Sequence, residues 1–519
     1  MNFPTLLFLF VIVPAALGLY GFLQARGNRV RSALLALAPI ASGVVLWSAC
    51  YAVAAAPLFD WNAGKIAPVV AMVRGQPQNY PLYQSPGDGV MTAWIYGPVP
   101  ALLFLPAALF SRPTDVIMTG VAINALAVLL PVLCLHARLA RSRSFAILST
   151  VLVIAFCLQC ESLRRAVFMI TPDGPAIGLS VLSCAMLLGR RTTLHLIGSA
   201  TCITLAVWCK QTIAPATIVA PIFLALVDGP RAAMKYVALL LAVFAIVSLV
   251  LIASFGWENL YFHMITIPRL HPWRDESRGK TFALIIGLRD LLFDGAPMSV
   301  ALIVVAAIGG KTLRGLAIRS GWIMLPMTAI ALVPGSVLGY VKVGGFLNNF
   351  AMTTLFILLA ASVAASAIIR EMKTIHAPTM VRAAICGAII AYAVNIALVR
   401  RDLPAMASRI SNPYANDQEI VYRFAVKHPQ TGYFPWNNLS TLLAEGRLYH
   451  FEWGIRDRYD AGIQPTSGQV VDHLPARIRF IAFPDSAQSE FARNLFRLAT
   501  REIKDDNLPG FVIYVPPEY

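Results

Sequence analysis

A chain of 519 residues that is 58% hydrophobic and 13% charged, with mean hydropathy +0.67, falls outside the soluble globular class, in which about a quarter of residues are charged. Its net charge of +16 does not point to nucleic acid. Up to Arg401 there are 30 basic and 12 acidic residues, from Asp402 onward 12 and 14, and most of the basic excess sits in short loops between apolar runs, where the positive-inside rule puts it.

Those apolar runs, roughly 17 to 25 residues each, are long enough to cross about 30 Å of hydrocarbon as helices. Met1 to Leu23 lacks a basic leader and a small-residue cleavage pattern, so it reads as a retained helix rather than a signal peptide. Arg26, Arg29 and Arg31 put the next loop in the cytoplasm and the N-terminus outside. Ser32 to Ala56 then returns to a long first outer loop, 57–115, that opens on Asp60. Within it, Ala63 to Val73 reads as a short amphipathic segment and Tyr96 to Phe110 as a juxtamembrane or re-entrant helix. Counting the latter as a span would leave Arg138, Arg141 and Arg143 outside.

Ile117 to His136 is a full span, Phe145 to Cys160 leads out, and Glu161 to Asp173 is an outer loop, 161–173. Gly174 to Gly189 comes in to Arg190 and Arg191. Leu194 to Cys209 and Ile213 to Val227 form a hairpin with Lys210, Gln211 and Thr212 at its outer tip. Tyr236 to Phe255 leads to a second long outer loop, 256–295, and a span near Ala296 to Ile308 precedes Lys311, Arg314 and Arg319. Trp322 to Leu338 reaches an outer loop at 339–349, Phe350 to Ile369 returns, and Ala383 to Leu398 leaves again. The sum is a polytopic α-helical membrane domain, 1–401, of about twelve spans with both termini outside. Ten of its twelve acidic residues then lie on the outer side, all but Asp228 and Glu371. That face is marked for chemistry.

From about Ser411 the character changes. HPQTGYFPWNN, RIRFIAF and FVIYV read as short strands and turns, and Asp417 to Lys427 and Ala487 to Arg501 as amphipathic helices. Residues 411–519 are thus expected to form a small extracytoplasmic α/β domain. Asn438-Leu439-Ser440 fits a glycosylation sequon, a weak signal in any chain. The eight cysteines lie in or beside apolar spans and imply no disulfide framework.

Among candidate site residues, Asp60 sits where a span meets a loop and could accept a proton from an acceptor hydroxyl, with burial or a nearby cation tuning it. Its plain alternative is a solvated loop-start carboxylate. Asp173 precedes an incoming helix, where it could cap the N-terminus or share work with Asp60. Together the two could hold a divalent cation, Mg2+ or Mn2+. Glu161, Arg164 and Arg165 lie just upstream, and arginine suits phosphate. Lys210 is costly near membrane depth unless it snorkels or meets an anion such as a lipid phosphate. The second long loop gathers His263, Arg269, His271 and Arg274 beside Trp257, Tyr261 and Trp273, a set suited to phosphate and a sugar ring. His263 and His271 lack zinc-like spacing. Gly344 and Gly345 permit close backbone approach beside Lys342, Asn348 and Asn349. No Walker loop, dinucleotide fingerprint or nucleophile elbow is present.

The order of these features resembles the GT-C superfamily of integral-membrane glycosyltransferases, of the dolichyl-phosphate-mannose protein mannosyltransferase and lipid A aminoarabinose transferase type. The resemblance rests on Phe59-Asp60-Trp61, Tyr96-Gly97-Pro98-Val99-Pro100, Thr171-Pro172-Asp173, Lys210-Gln211-Thr212 and the polar C-terminal part. It implies an inverting transfer from a polyprenyl-phosphate sugar to a glycan, lipid or protein acceptor, at the outer face of a bacterial plasma membrane. It further implies Asp60 and Asp173 as the loop acids, with Lys210 or the Arg269–Arg274 cluster on the phosphate. Tyr96 would line the same site. A single Asp60 and a Tyr-Gly-Pro sequence depart from the family's usual paired acids and Lys-Pro-Pro. The competing class is a transporter or flippase, which calls for mid-bilayer charges and inverted repeats; the acids cluster at the boundary instead, and no repeat is visible. A third is a non-catalytic polysaccharide-assembly component that binds through its C-terminal domain.

Overall fold

The computed structural model describes residues 42–515 apart from 44, 78, 140–142, 190, 372–402, 485–500 and 505–506. The helix expected at Met1–Leu23, the Arg26–Arg31 loop, the first part of Ser32–Ala56, the Ala383–Leu398 span and nearly all of Ala487–Arg501 lie outside the described residues.

The chain is a mostly helical membrane protein with several apolar spans. Among the described residues, four helical stretches are long and apolar enough to cross a membrane alone: Pro113–Leu139, Pro230–Phe255, Met324–Val341 and Leu347–Ala364. Thr193–Cys209 is shorter, and its hairpin partner starts as a 3-10 turn, Gln211–Ile218, because Pro215 cannot donate to a regular helix. Residues 281–295 correct the expected outer loop. They belong to one continuous helix, Lys280–Ser320, with no proline before Pro297 and apolar residues at helical spacing.

The bundle packs Asp173–Leu187 between Pro113–Leu139 and Thr193–Cys209, and Ala351–Glu371 against Lys280–Ser320 and Met324–Val341. Pro230–Phe255 buries little besides Tyr236 and Leu251, which leaves an apolar surface suited to lipid. One elbow matters for function. Glu161–Phe168 and Asp173–Leu187 meet at 94° across Met169–Pro172; the proline removes a donor and holds Thr171 out of the helical region. Asn62 staples this elbow to the first loop, accepting from the Ile170 amide at 2.8 Å and donating to the Ala56 carbonyl at 2.9 Å.

The first loop is built around a helix, Asp60–Arg74. It is not the half-solvated amphipathic segment expected, since Asn62 through Ala71 are all buried. Helix Asn438–Glu445 of the C-terminal part and Pro113–Leu139 of the bundle both pack on it. Asn438 is buried there, so the sequon is not a surface feature.

The C-terminal part carries a four-stranded sheet in the order β1-β2-β4-β3, with β1 Gly432–Tyr433, β2 Phe480–Pro484, β3 Arg501–Ile503 and β4 Phe511–Val515. β1 and β2 are parallel, and the β2–β4 and β3–β4 pairs antiparallel. Alternation along β2 sends Ala482 into one core with Val421, Phe434 and Ile513, and Ile481 and Phe483 into another. That second core also contains Met91 and Ala93 of the first loop. Two hydrogen bonds seal the joint: the Phe451 amide donates to Met91 O, and the Met91 amide to the His450 side chain at Nδ1, each at 3.0 Å. Glu419 takes Arg112 at 2.8 Å at the other end of the loop. The C-terminal part thus clasps the first loop at more than one point.

Candidate active site

The first-loop helix, the 161–173 elbow, the hairpin tip, the second long loop, the 339–349 loop and the C-terminal part all contribute to one cavity of about 520 Å³. Five cationic side chains line it: Lys65, Arg165, Lys210, Arg269 and Lys342. Among the described lining residues, Asp457 is the one carboxylate.

Lys210 is the most constrained of the cations. Its ammonium donates to Asp173 Oδ1 at 2.5 Å and to Asn349 Oδ1 at 2.7 Å, and Asn348 Nδ2 donates to Asp173 Oδ2 at 2.8 Å. Asp173 therefore stands behind the cavity wall with both oxygens committed. Tight packing brings this cluster up to the first loop. A methyl group on Gly97 would meet the Trp208 carbonyl, and one on Gly335 the Thr212 carbonyl, so both glycines permit backbone contact on either side of Lys210.

Lys65 points into the cavity from the first-loop helix. It donates to the Tyr96 hydroxyl at 3.0 Å and lies over the rings of Tyr96 and Trp61. Burial lowers its pKa to about 8, opposed by the charges of Asp173 and Asp457. Burial also pushes the Tyr96 phenol up.

The opposite wall joins two loops that are distant in sequence. Trp273 and Lys342 form an antiparallel bridge, Arg274 N donates to Val341 O at 2.8 Å, and Val343 N to Pro272 O at 2.9 Å. Lys342 then donates to the carbonyls of His271 at 2.7 Å and Arg269 at 3.2 Å. Burial, and then the charge of Lys280, lower the Lys342 pKa. His271 Nε2 is 3.1 Å from the Asp457 carbonyl and 3.7 Å from its carboxylate. A carbonyl only accepts, so Nε2 carries the proton. Burial raises the Asp457 pKa to about 6 against the lowering effects of His271, Lys65 and Arg458.

Of the residues singled out from the sequence, Tyr96, Lys210, Arg269, His271, Lys342 and Asn348 line the cavity. Asp60 is not among its lining residues. Trp61 and Lys65, four apart, share the helix face that looks inward, and Asp60 is one residue out of phase with them. It is half-buried; burial, and then the Asp417 carboxylate, raise its pKa to about 7. Asp173, committed to Lys210 and Asn348, does not join it in a cation site, and among the described residues no three His, Cys, Asp or Glu side chains converge. The residues present do not fit the expected divalent ion.

Helical phase also separates Arg164, exposed, from Arg165, which lines the cavity and is held by Glu161 at 2.7 Å. His263 is buried behind the cavity, against the Asn259 carbonyl and Arg458. Arg274 buttresses the 339–349 loop through the Gly345 carbonyl. Lys65 and Asp457 escaped the sequence reading. Lys65 is the lone cation inside an apolar outer-loop stretch, a usable signal in retrospect. Asp457 lies in a charged run of a part read as separate, and nothing local marks it.

Residues 94–333 match glycosyltransferase family 87, GT87. ArnT from Cupriavidus metallidurans, solved bound to undecaprenyl phosphate, superposes with a TM-score of 0.52 at 11% identity, covering 92% of this chain and 97% of that one. The chain has the GT-C fold of membrane glycosyltransferases. The apo form of the same ArnT gives a TM-score of 0.50 at 13% identity, with 91% of this chain and 97% of that one covered. An apo oligosaccharyltransferase from Archaeoglobus fulgidus gives 0.42 at 11% identity, over 85% and 69%. No curated protein sequence matches significantly. At these identities the structural likeness is one of fold, and it spans both the helical bundle and the C-terminal part of the chain.

Proposed function

We propose that this GT-C protein transfers a sugar from a polyprenyl-phosphate donor to an acceptor hydroxyl by a single inverting displacement. The observation that carries the proposal is the convergence of Lys65, Arg165, Lys210, Arg269 and Lys342 on one cavity in which, among the described residues, Asp457 is the one acidic side chain. That charge pattern suits a sugar phosphate, whose phosphoryl group gains negative charge as the glycosidic bond breaks. Lys210, held rigid by Asp173 and Asn349, needs no reorganisation to receive it. Apolar residues lining the same cavity, Met264, Ile265 and Leu338, suit the first units of a polyprenyl chain, and the aromatic rings of Trp61 and Phe346 line it as apolar surface for a sugar.

The positive-inside pattern supports a cavity on the extracytoplasmic face of a bacterial plasma membrane, and the solved relative's undecaprenyl phosphate fits that donor class. Glycan, lipid and protein acceptors all present the required hydroxyl. The test is direct. Purified protein in lipid nanodiscs is incubated with a panel of polyprenyl-phosphate hexoses and pentoses, and released polyprenyl phosphate is measured. Release with at least one donor supports the proposal; no donor consumed, with or without acceptor extracts, overturns it.

A further inference from the structure

We infer that Asp457, supplied by the C-terminal part, is the base that accepts the acceptor's proton. The inference rests on the transfer proposed above and names the group that reaction requires. The acceptor oxygen forms a bond to the anomeric carbon, the bond from that carbon to the phosphate oxygen breaks, its electron pair leaves with polyprenyl phosphate, and the hydroxyl proton passes to an Asp457 carboxylate oxygen.

Three observations lead here. Asp457 is the one carboxylate among the described residues lining a cavity otherwise rich in cations. Its side chain is 11% exposed, so it is shielded yet reachable. It is also oriented from both sides: its backbone carbonyl accepts from His271 Nε2, and its helix, Glu452–Asp460, is anchored one turn earlier, where Trp453 stacks on the cavity residue Trp61 at 4.4 Å between ring centroids. Trp453 and Asp457 are four apart and share a helix face. The C-terminal part therefore closes the acceptor side of the site, while the loops of the bundle supply the phosphate side. Asp173 cannot play this role, with both oxygens bound to Lys210 and Asn348.

The experiment compares wild type, Asp457→Asn, Asp457→Glu and Asp60→Asn, with two readouts: turnover of an active donor, and affinity for polyprenyl phosphate in nanodiscs. For D457N the expected result is a fall in kcat of about 10²–10⁴-fold, the usual worth of a positioned general base, with affinity for polyprenyl phosphate kept within about threefold. If affinity falls as well, D457E decides: recovery of turnover above D457N supports the assignment, and no recovery overturns it. Turnover by D457N close to wild type overturns it, as does loss of transfer in D60N with D457N active; in both cases the transferase reading stands. A wild-type protein that consumes no donor removes both.

Discussion

Lys210 and Asp173 form a buried ion pair at 2.5 Å, with side chains 6% and 1% exposed, and Lys210 alone of the two reaches the cavity. The carboxylate holds the cation in place, and the cation faces the ligand. Removing one partner leaves an unpaired buried charge, which costs about 3–5 kcal/mol. Lys210→Met and Asp173→Asn are each expected to lower the unfolding midpoint, and the double variant to lose less than the sum, read as a double-mutant cycle. Donor affinity separates the roles: K210M loses it, and D173N retains a large part. Additive effects on stability would show that the two side chains do not act as a pair.

The pH profile follows from two groups of opposite sense. Asp457 must be ionised to accept a proton, so kcat/KM is expected to rise with pH through about 6. Lys65 must stay protonated to attract phosphate, so the rate falls again above about 8. His271, Lys65, Arg458 and Asp460 are the charged or titratable groups acting on Asp457. In D457N the acid limb should vanish while the basic limb remains. Stability carries a linked signature. A carboxylate raised from 3.8 to about 6 in the fold binds protons better when native, so its contribution is lost as pH rises through about 6.

Gly97 touches the Trp208 carbonyl, with no room for a methyl group. Gly97→Ala should therefore displace one of the two segments and destabilise the protein by about 1–3 kcal/mol, as overpacking does. Because the same contact sets Tyr96 beside Lys65, transfer activity should fall with it. A thermal midpoint equal to wild type would show that the two backbones part without cost.

Glu419 clasps the first loop, with Arg112 at 2.8 Å and the Thr114 amide at 3.4 Å. Glu419→Ala leaves that buried amide unpaired, at a cost of about 1–3 kcal/mol. Limited proteolysis near residue 112 should speed up if the clasp joins the C-terminal part to the loop. Unchanged proteolysis would mean that the shared apolar core alone holds them.

Much of the helical bundle was legible because spans are read from length and apolarity, properties of contiguous residues. The same holds for the C-terminal strands, whose alternation shows in RIRFIAF and FVIYV. Lys210 stood out for a related reason, since a cation near membrane depth is expensive enough to need an explanation, while Arg269 stood out in a dense cationic loop and Lys342 beside a Gly-Gly pair. What one-dimensional reading could not supply was phase and partnership. Asp60 and Trp61 are neighbours in sequence, yet the helix turns about 100° per residue, and only Trp61 lines the cavity. Arg164 and Arg165 differ in the same way.

The sequence by itself determined that this is a membrane protein with several apolar spans, because hydropathy is a property of contiguous residues. Tertiary structure decided which charges meet. Asp173 became a brace for Lys210, and Asp457, nearly four hundred residues from Lys65 in the chain, became the cavity's carboxylate. Electrostatic work depends on distances of a few ångströms and on burial, and neither is fixed until loops far apart in sequence have packed together.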